Sequence, residues 1–68
     1  MIKLGKYKHY KGNMYEDLMI AKNSEDLTDM VIYKALYGNN QIWARPISMW
    51  EEEVIINGKP IKRFTFVE

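Results

Sequence analysis

Short apolar runs alternate with turn-forming residues along the whole chain. Gly5, Gly12-Asn13, Asn23-Ser24, Gly38-Asn39-Asn40, Pro46 and Asn57-Gly58 recur at intervals of about seven to seventeen residues, the spacing of an all-β domain. Between these breaks, runs rich in Tyr, Ile, Val and Phe cover residues 6–10, 14–22, 30–37, 41–45 and the pair 53–56 with 59–67, which predicts five to six strands. Asn57-Gly58 is the strongest local signal. A two-residue type I′ turn needs positive φ at both positions, which Asn and Gly tolerate best, so the pair is expected to join the last two strands. The polar stretch 24–29 reads as an exposed loop or a single helical turn. Pro46 should end the strand before it, and Ser48 followed by Glu51 fits a capping box, predicting one turn of helix across residues 48–53. The fold expected is all-β: a small SH3-like barrel of five to six strands with one short helical turn, the turn set before the last strand by analogy with such barrels.

Length narrows this picture to one domain. A chain of 68 residues is expected to form a single domain over 1–68 and to bury only about 60% of the surface its unfolded form exposes. With no cysteine, neither a disulfide nor a zinc–thiolate staple can brace it, so apolar packing must. Hydrophobic residues make up 47% of the chain, a globular composition. The apolar stretches fall far short of the ~20 residues a membrane helix needs, and no apolar signal core is evident, so the expected location is cytoplasmic, away from any membrane.

Net charge is +1 and gives no global reason to expect nucleic acid. Its distribution is more informative. Lys3, Lys6, Lys8 and Lys11 make the first fifteen residues basic, and Glu51-Glu52-Glu53 is the one acidic run, read as a solvated face. The inventory for catalysis is thin: His9 is the single histidine, Ser24 and Ser48 are the serines, and no nucleophile, phosphate-loop, dinucleotide or zinc motif is present. One imidazole does not make a transition-metal site. No catalytic residue, metal ligand or cofactor is therefore assigned.

Two segments carry candidate binding chemistry. In Lys6-Tyr7-Lys8-His9-Tyr10-Lys11, strand alternation sets Tyr7, His9 and Lys11 on one side and Lys6, Lys8 and Tyr10 on the other, so either side pairs a ring with cations. Such a platform stacks a planar group and neutralises a phosphate. The plainer reading is that Tyr7 or Tyr10 packs inward while the lysines protect an edge strand. The second segment is the hairpin through Gly38-Asn39-Asn40. A three-residue loop sets Gln41 opposite Tyr37, Trp43 opposite Ala35 and Arg45 opposite Tyr33, gathering Tyr33, Tyr37, Trp43 and Arg45 on one face. A loop of two or four residues instead puts Trp43 and Arg45 with Ile32, Lys34 and Leu36.

The string Gly5-Lys6-Tyr7-Lys8-His9-Tyr10-Lys11-Gly12-Asn13-x-Tyr15-Glu16, followed by Ser24-Glu25, Val31-x-Tyr33, Ala35-Leu36-Tyr37-Gly38, Trp43-x-Arg45-Pro46, Met49-Trp50-x-Glu52, Gly58 and Arg63-Phe64, resembles the short bacterial family called domain of unknown function 1653. The resemblance spans nearly the whole chain and implies a small β-barrel-like bacterial domain with no established activity. Two positions depart from the family pattern: Asn23 stands where a histidine is common, and Asp17 where an apolar residue is usual.

The expected function is thus a non-catalytic binding module whose surface comprises Tyr7, His9, Tyr10, Lys11, Tyr33, Trp43 and Arg45, taking a nucleotide, a small planar anion or single-stranded nucleic acid. The alternative is a protein-interaction adaptor, or a homodimer, that uses an exposed strand edge. A small hydrolase or transferase ranks third.

Overall fold

The computed structural model describes residues 2–67. Seven strands and one turn of helix follow in order: β1 (Gly5–His9), β2 (Met14–Lys22), β3 (Asp29–Ala35), β4 (Ile42–Pro46), α1 (Ile47–Trp50), β5 (Glu53–Ile56), β6 (Lys59–Lys62) and β7 (Phe64–Val67). Five strands form one antiparallel sheet in the order β4-β3-β2-β1-β7, and β5 with β6 forms a separate hairpin. The protein is mostly β, as its punctuation implies. The sheet does not close into a barrel among the described residues, because β4 and β7 each have one unpaired edge.

Several local expectations are corrected. Residues 59–67 split at Arg63 into β6 and β7, so the strand count exceeds five to six, and the Asn57-Gly58 turn joins β5 to β6 rather than the last two strands. The turn itself is as expected, with φ of 52° at Asn57 and 78° at Gly58. The helical turn starts one residue early and stops at Trp50; Pro46 occupies its N-cap and no side chain caps it, so Ser48 and Glu51 form no capping box. Strand β1 lies between β2 and β7 and is not an edge, which removes the edge-protection reading of its lysines.

Strand alternation decides the core. Tyr7 on β1, with Val31, Tyr33 and Ala35 on β3, points to one face, and α1 folds back across that face so that Trp50 is only 2% exposed. Trp50 lies over Tyr33 at 4.8 Å and meets Tyr7 edge-on at 5.4 Å, while its other neighbour, Phe64 of β7, stacks flat on it at 3.6 Å. A small domain without disulfides is thus held by aromatic area.

Strand β2 keeps its inward phase only by breaking it. Tyr15 and Asp17 face Ala35 and Tyr33, a bulge follows Asp17, and beyond it Ile20 rather than Met19 faces Val31 in the core. The bulge leaves Asp17 only 2% exposed with neither carboxylate oxygen hydrogen-bonded. Burial pushes its pKa up to about 7. Across the ladder from Asp17 is Gly5, where a Cβ would come within 3.2 Å of the Phe66 ring.

The turn at 24–29 is ordered by short polar contacts. The Asn23 side chain accepts from Glu25 N–H at 2.9 Å, and Asp26 accepts from Thr28 N–H at 3.0 Å and Thr28 Oγ1 at 2.7 Å. These bonds to Thr28 hold the exposed Asp26 carboxyl below the usual aspartate range. No helix among the described residues is long and apolar enough to cross a membrane.

Candidate functional site

The β3–β4 register brings the candidate residues together. Tyr33 pairs with Trp43 and Val31 with Arg45, and Ala35 N–H donates to Gln41 carbonyl at 2.9 Å, closing a loop longer than three residues. Each strand partner differs by two positions from the three-residue expectation. A shift of two preserves faces, so Tyr33, Trp43 and Arg45 do share one side of the sheet. On the central strand that side is core, and Tyr33 is buried there. On the edge strand β4 that side is open at Trp43, which is 51% exposed, and half-covered at Arg45.

Tyr7 is buried as well, its hydroxyl donating to the Lys3 carbonyl at 2.7 Å. Burial raises its pKa, with the charges of Asp17 and Glu51 adding to the effect. Tyr7 and Tyr33 therefore form the floor, while Tyr10, Lys11, Trp43 and Arg45 are exposed or half-exposed and His9 is half-buried.

Phe64 links the two candidate segments. One face of its ring is stacked on Trp50; His9 meets it edge-on at 5.0 Å, and the Arg45 guanidinium carbon lies 5.7 Å from its centroid. Tyr15 packs against both Phe64 and His9, at 5.7 and 6.3 Å, and its hydroxyl is 2.8 Å from that of Tyr37. Burial and this hydroxyl pair push the Tyr15 pKa up to about 12. Tyr37 and Trp43 then flank a shallow cleft of about 130 Å³ with Ala35, Gly38, Asn39 and Gln41. An aromatic band thus runs from Tyr37 through Tyr15 to His9 and Tyr10, the last two rings 4.6 Å apart, and Trp43 lies across the cleft from its Tyr37 end.

Cations border this band. His9 is held below the usual imidazole range by burial first, then by the positive charges of Arg63, Lys11 and Arg45. Lys11 N–H donates to His9 Nδ1 at 3.2 Å, which fits the neutral ring with its proton on Nε2. Arg45 makes no salt bridge among the described residues; the brace to the acidic run is made by Arg63, loosely paired with Glu52 at 3.4 Å and 26% exposed. Arg63 Nε is buried without a partner. Tyr15, Phe64 and Arg63 escaped site assignment from sequence. Only the ladder between β1 and β7, in which His9 pairs with Phe64, reveals that the last strand completes the site.

The face holds one histidine and no cysteine, and no cluster of three metal-binding side chains exists among the described residues. Its chemistry is that of rings and cations open to a planar, negatively charged group.

The fold and this face define a small, mostly β domain with an aromatic, cationic surface. The chain belongs to the family described as protein of unknown function (DUF1653), whose model matches residues 5–66. It is similar to the crystal structure of a DUF1653 protein from Bordetella bronchiseptica, with 32% identity and a TM-score of 0.87 over 97% of this chain and 87% of that one. A comparison with curated proteins finds no match.

Proposed function

We propose that the domain is a non-catalytic binding module for a planar anion, a nucleotide or a segment of single-stranded nucleic acid, held on the face of Trp43, Tyr37, Arg45, His9 and Arg63. The observation that carries this reading is that Arg45 and His9 both pack on Phe64, with Lys11 and Arg63 adjoining His9 beside exposed rings, and that Arg45 makes no salt bridge among the described residues. A base or similar ring stacks on Trp43 or Tyr10, and the anionic group meets the guanidinium, whose donors suit phosphate. The open five-stranded sheet, crossed by α1 next to its last strands, serves as an SH3-like half barrel with this face at its rim. Such a module is expected in the cytoplasm.

Trp43 fluorescence reports the binding, with Trp50 a buried background. Quenching by AMP and by a thymidine oligonucleotide should saturate and weaken steeply between about 50 and 200 mM salt. Absence of saturable quenching by either sinks the proposal.

A second reading has its own support. The outer edge of β4 is unpaired among the described residues and carries exposed Ile42 and Trp43, a template for strand addition by another chain or a second copy. That association would grow with protein concentration and be insensitive to salt.

A further inference from the structure

A second opening lies beyond His9 and Tyr10, away from Trp43 and Arg45. A groove of about 290 Å³ separates the β5–β6 hairpin from the outer side of the sheet and is lined by Lys8, His9, Tyr10, Ile56, Ile61, Lys62 and Thr65. Its origin is in the ladders. Lys8 pairs with Thr65 on the sheet side facing away from the core, and the register Val54–Ile61 with Ile56–Lys59 sets Ile56 and Ile61 on one side of the hairpin. The hairpin hydrogen-bonds to neither sheet edge as a strand; it is anchored at its base, where Arg63 N–H donates to Glu52 carbonyl at 3.1 Å and Tyr10 N–H to Arg63 carbonyl at 2.9 Å. Ile56 and Ile61 therefore remain 37% and 40% exposed instead of closing onto the sheet.

The charges at this groove have one sign. Lys8 and Lys62 line it, Lys11 holds its ammonium 5.8 Å from the Tyr10 centroid, no acid is among the lining residues, and neither Lys8 nor Lys62 forms a salt bridge among the described residues. A partner must therefore combine an apolar body with an anionic head. The branched aliphatic side chains of Ile56 and Ile61 face the Tyr10 and His9 rings across the groove, so a ligand is not confined between two flat rings, which suits a flexible chain. At the ~30 Å³ that one water occupies in the liquid, the volume matches roughly ten water-sized groups.

We propose that this groove binds a medium-chain aliphatic carboxylate, its chain against Ile56, Ile61 and the Tyr10 ring and its head between Lys8 and Lys62. The site shares His9 and Tyr10 with the candidate face but includes neither Trp43 nor Arg45, so it stands without the function proposed there.

Methyl NMR titrations with hexanoate, octanoate, decanoate and neutral 1-octanol test it. Saturable shifts should centre on Ile56 and Ile61, and affinity should rise about fourfold per added methylene, the equivalent of ~0.8 kcal/mol, until the groove is full. Octanol should bind at least tenfold more weakly than octanoate. The double variant Lys8→Gln, Lys62→Gln, altered only at exposed positions, should keep the wild-type spectrum elsewhere and reduce octanoate to the level of octanol. Equal affinity for octanoate and octanol overturns the head-group assignment. Shifts that fail to saturate, or that centre on Trp43 and Arg45, overturn the site.

Discussion

The Trp50 indole lies flat on the Phe64 ring, with centroids 3.6 Å apart and planes 4° from parallel. One partner comes from the helical turn and the other from the last strand, so this contact fastens the crossing segment to the sheet and supports the ring beneath Arg45. Trp50→Ala and Phe64→Ala should each destabilise the domain by about 3–5 kcal/mol, as loss of a buried aromatic side chain does. Urea denaturation measures it; a loss below about 1 kcal/mol in both variants would show that the stack is incidental.

Asp17 makes stability fall with rising pH. Its folded pKa of about 7 lies above the ordinary 3.8, so between those values the folded state holds a proton that the unfolded state has released. The contribution is full below pH 3.8, declines by at most about 1.4 kcal/mol per pH unit across the window, and is level above pH 7. Asp17→Val replaces the carboxyl with an apolar group of similar size and should raise the melting temperature at pH 8 while hardly changing it at pH 4. The same gain at both pH values would refute the burial argument.

His9 is a built-in reporter for an anion at the candidate face. Its pKa in the free protein should fall below 6.5, because burial and nearby cations oppose protonation. A bound phosphate offsets those cations and raises it, so binding takes up protons and tightens as pH drops through the interval between the two values. NMR titration of the imidazole with and without AMP measures both; an unchanged pKa under saturating AMP places the anion elsewhere.

The punctuation of the chain exposes most of this fold. Asn57-Gly58 identifies its own turn because the dihedral demand is local, and the strands follow from runs of β-forming residues between breaks. What alternation does not reveal is the bulge after Asp17: it changes the phase of β2 midway, and only the pairing with β3 fixes which of Met19 and Ile20 faces the core. Closure is hidden for the same reason, since whether β4 meets a partner depends on strand order, not on the composition of β4. Ser48 and Glu51 have the right spacing for a capping box, but Pro46 already supplies a helix entry and α1 begins at Ile47, displacing them.

The site is legible by halves. Trp43 and Arg45 share a face with Tyr33 in any register that differs by two residues, so that grouping survives an incorrect loop length. Tyr7 and Tyr33 have the same residue type as Tyr10 and Tyr37 and differ only in what lies over them, which Trp50 decides from far along the chain. Phe64 and Arg63 reach His9 across the β1–β7 pairing, a contact no local pattern encodes.

The most direct test of the proposed face is Arg45→Ala, read by thermal melting and by titration with AMP and a thymidine oligonucleotide. The guanidinium has no carboxylate partner among the described residues and lies over one ring, a contact of about 0.5–1 kcal/mol, so the melting temperature should move little. Affinity for both probes should fall at least tenfold, and its salt dependence should become shallower. An unchanged affinity together with a large loss of stability would contradict the account, making Arg45 a structural brace and leaving the Trp43 face without its anion-binding group.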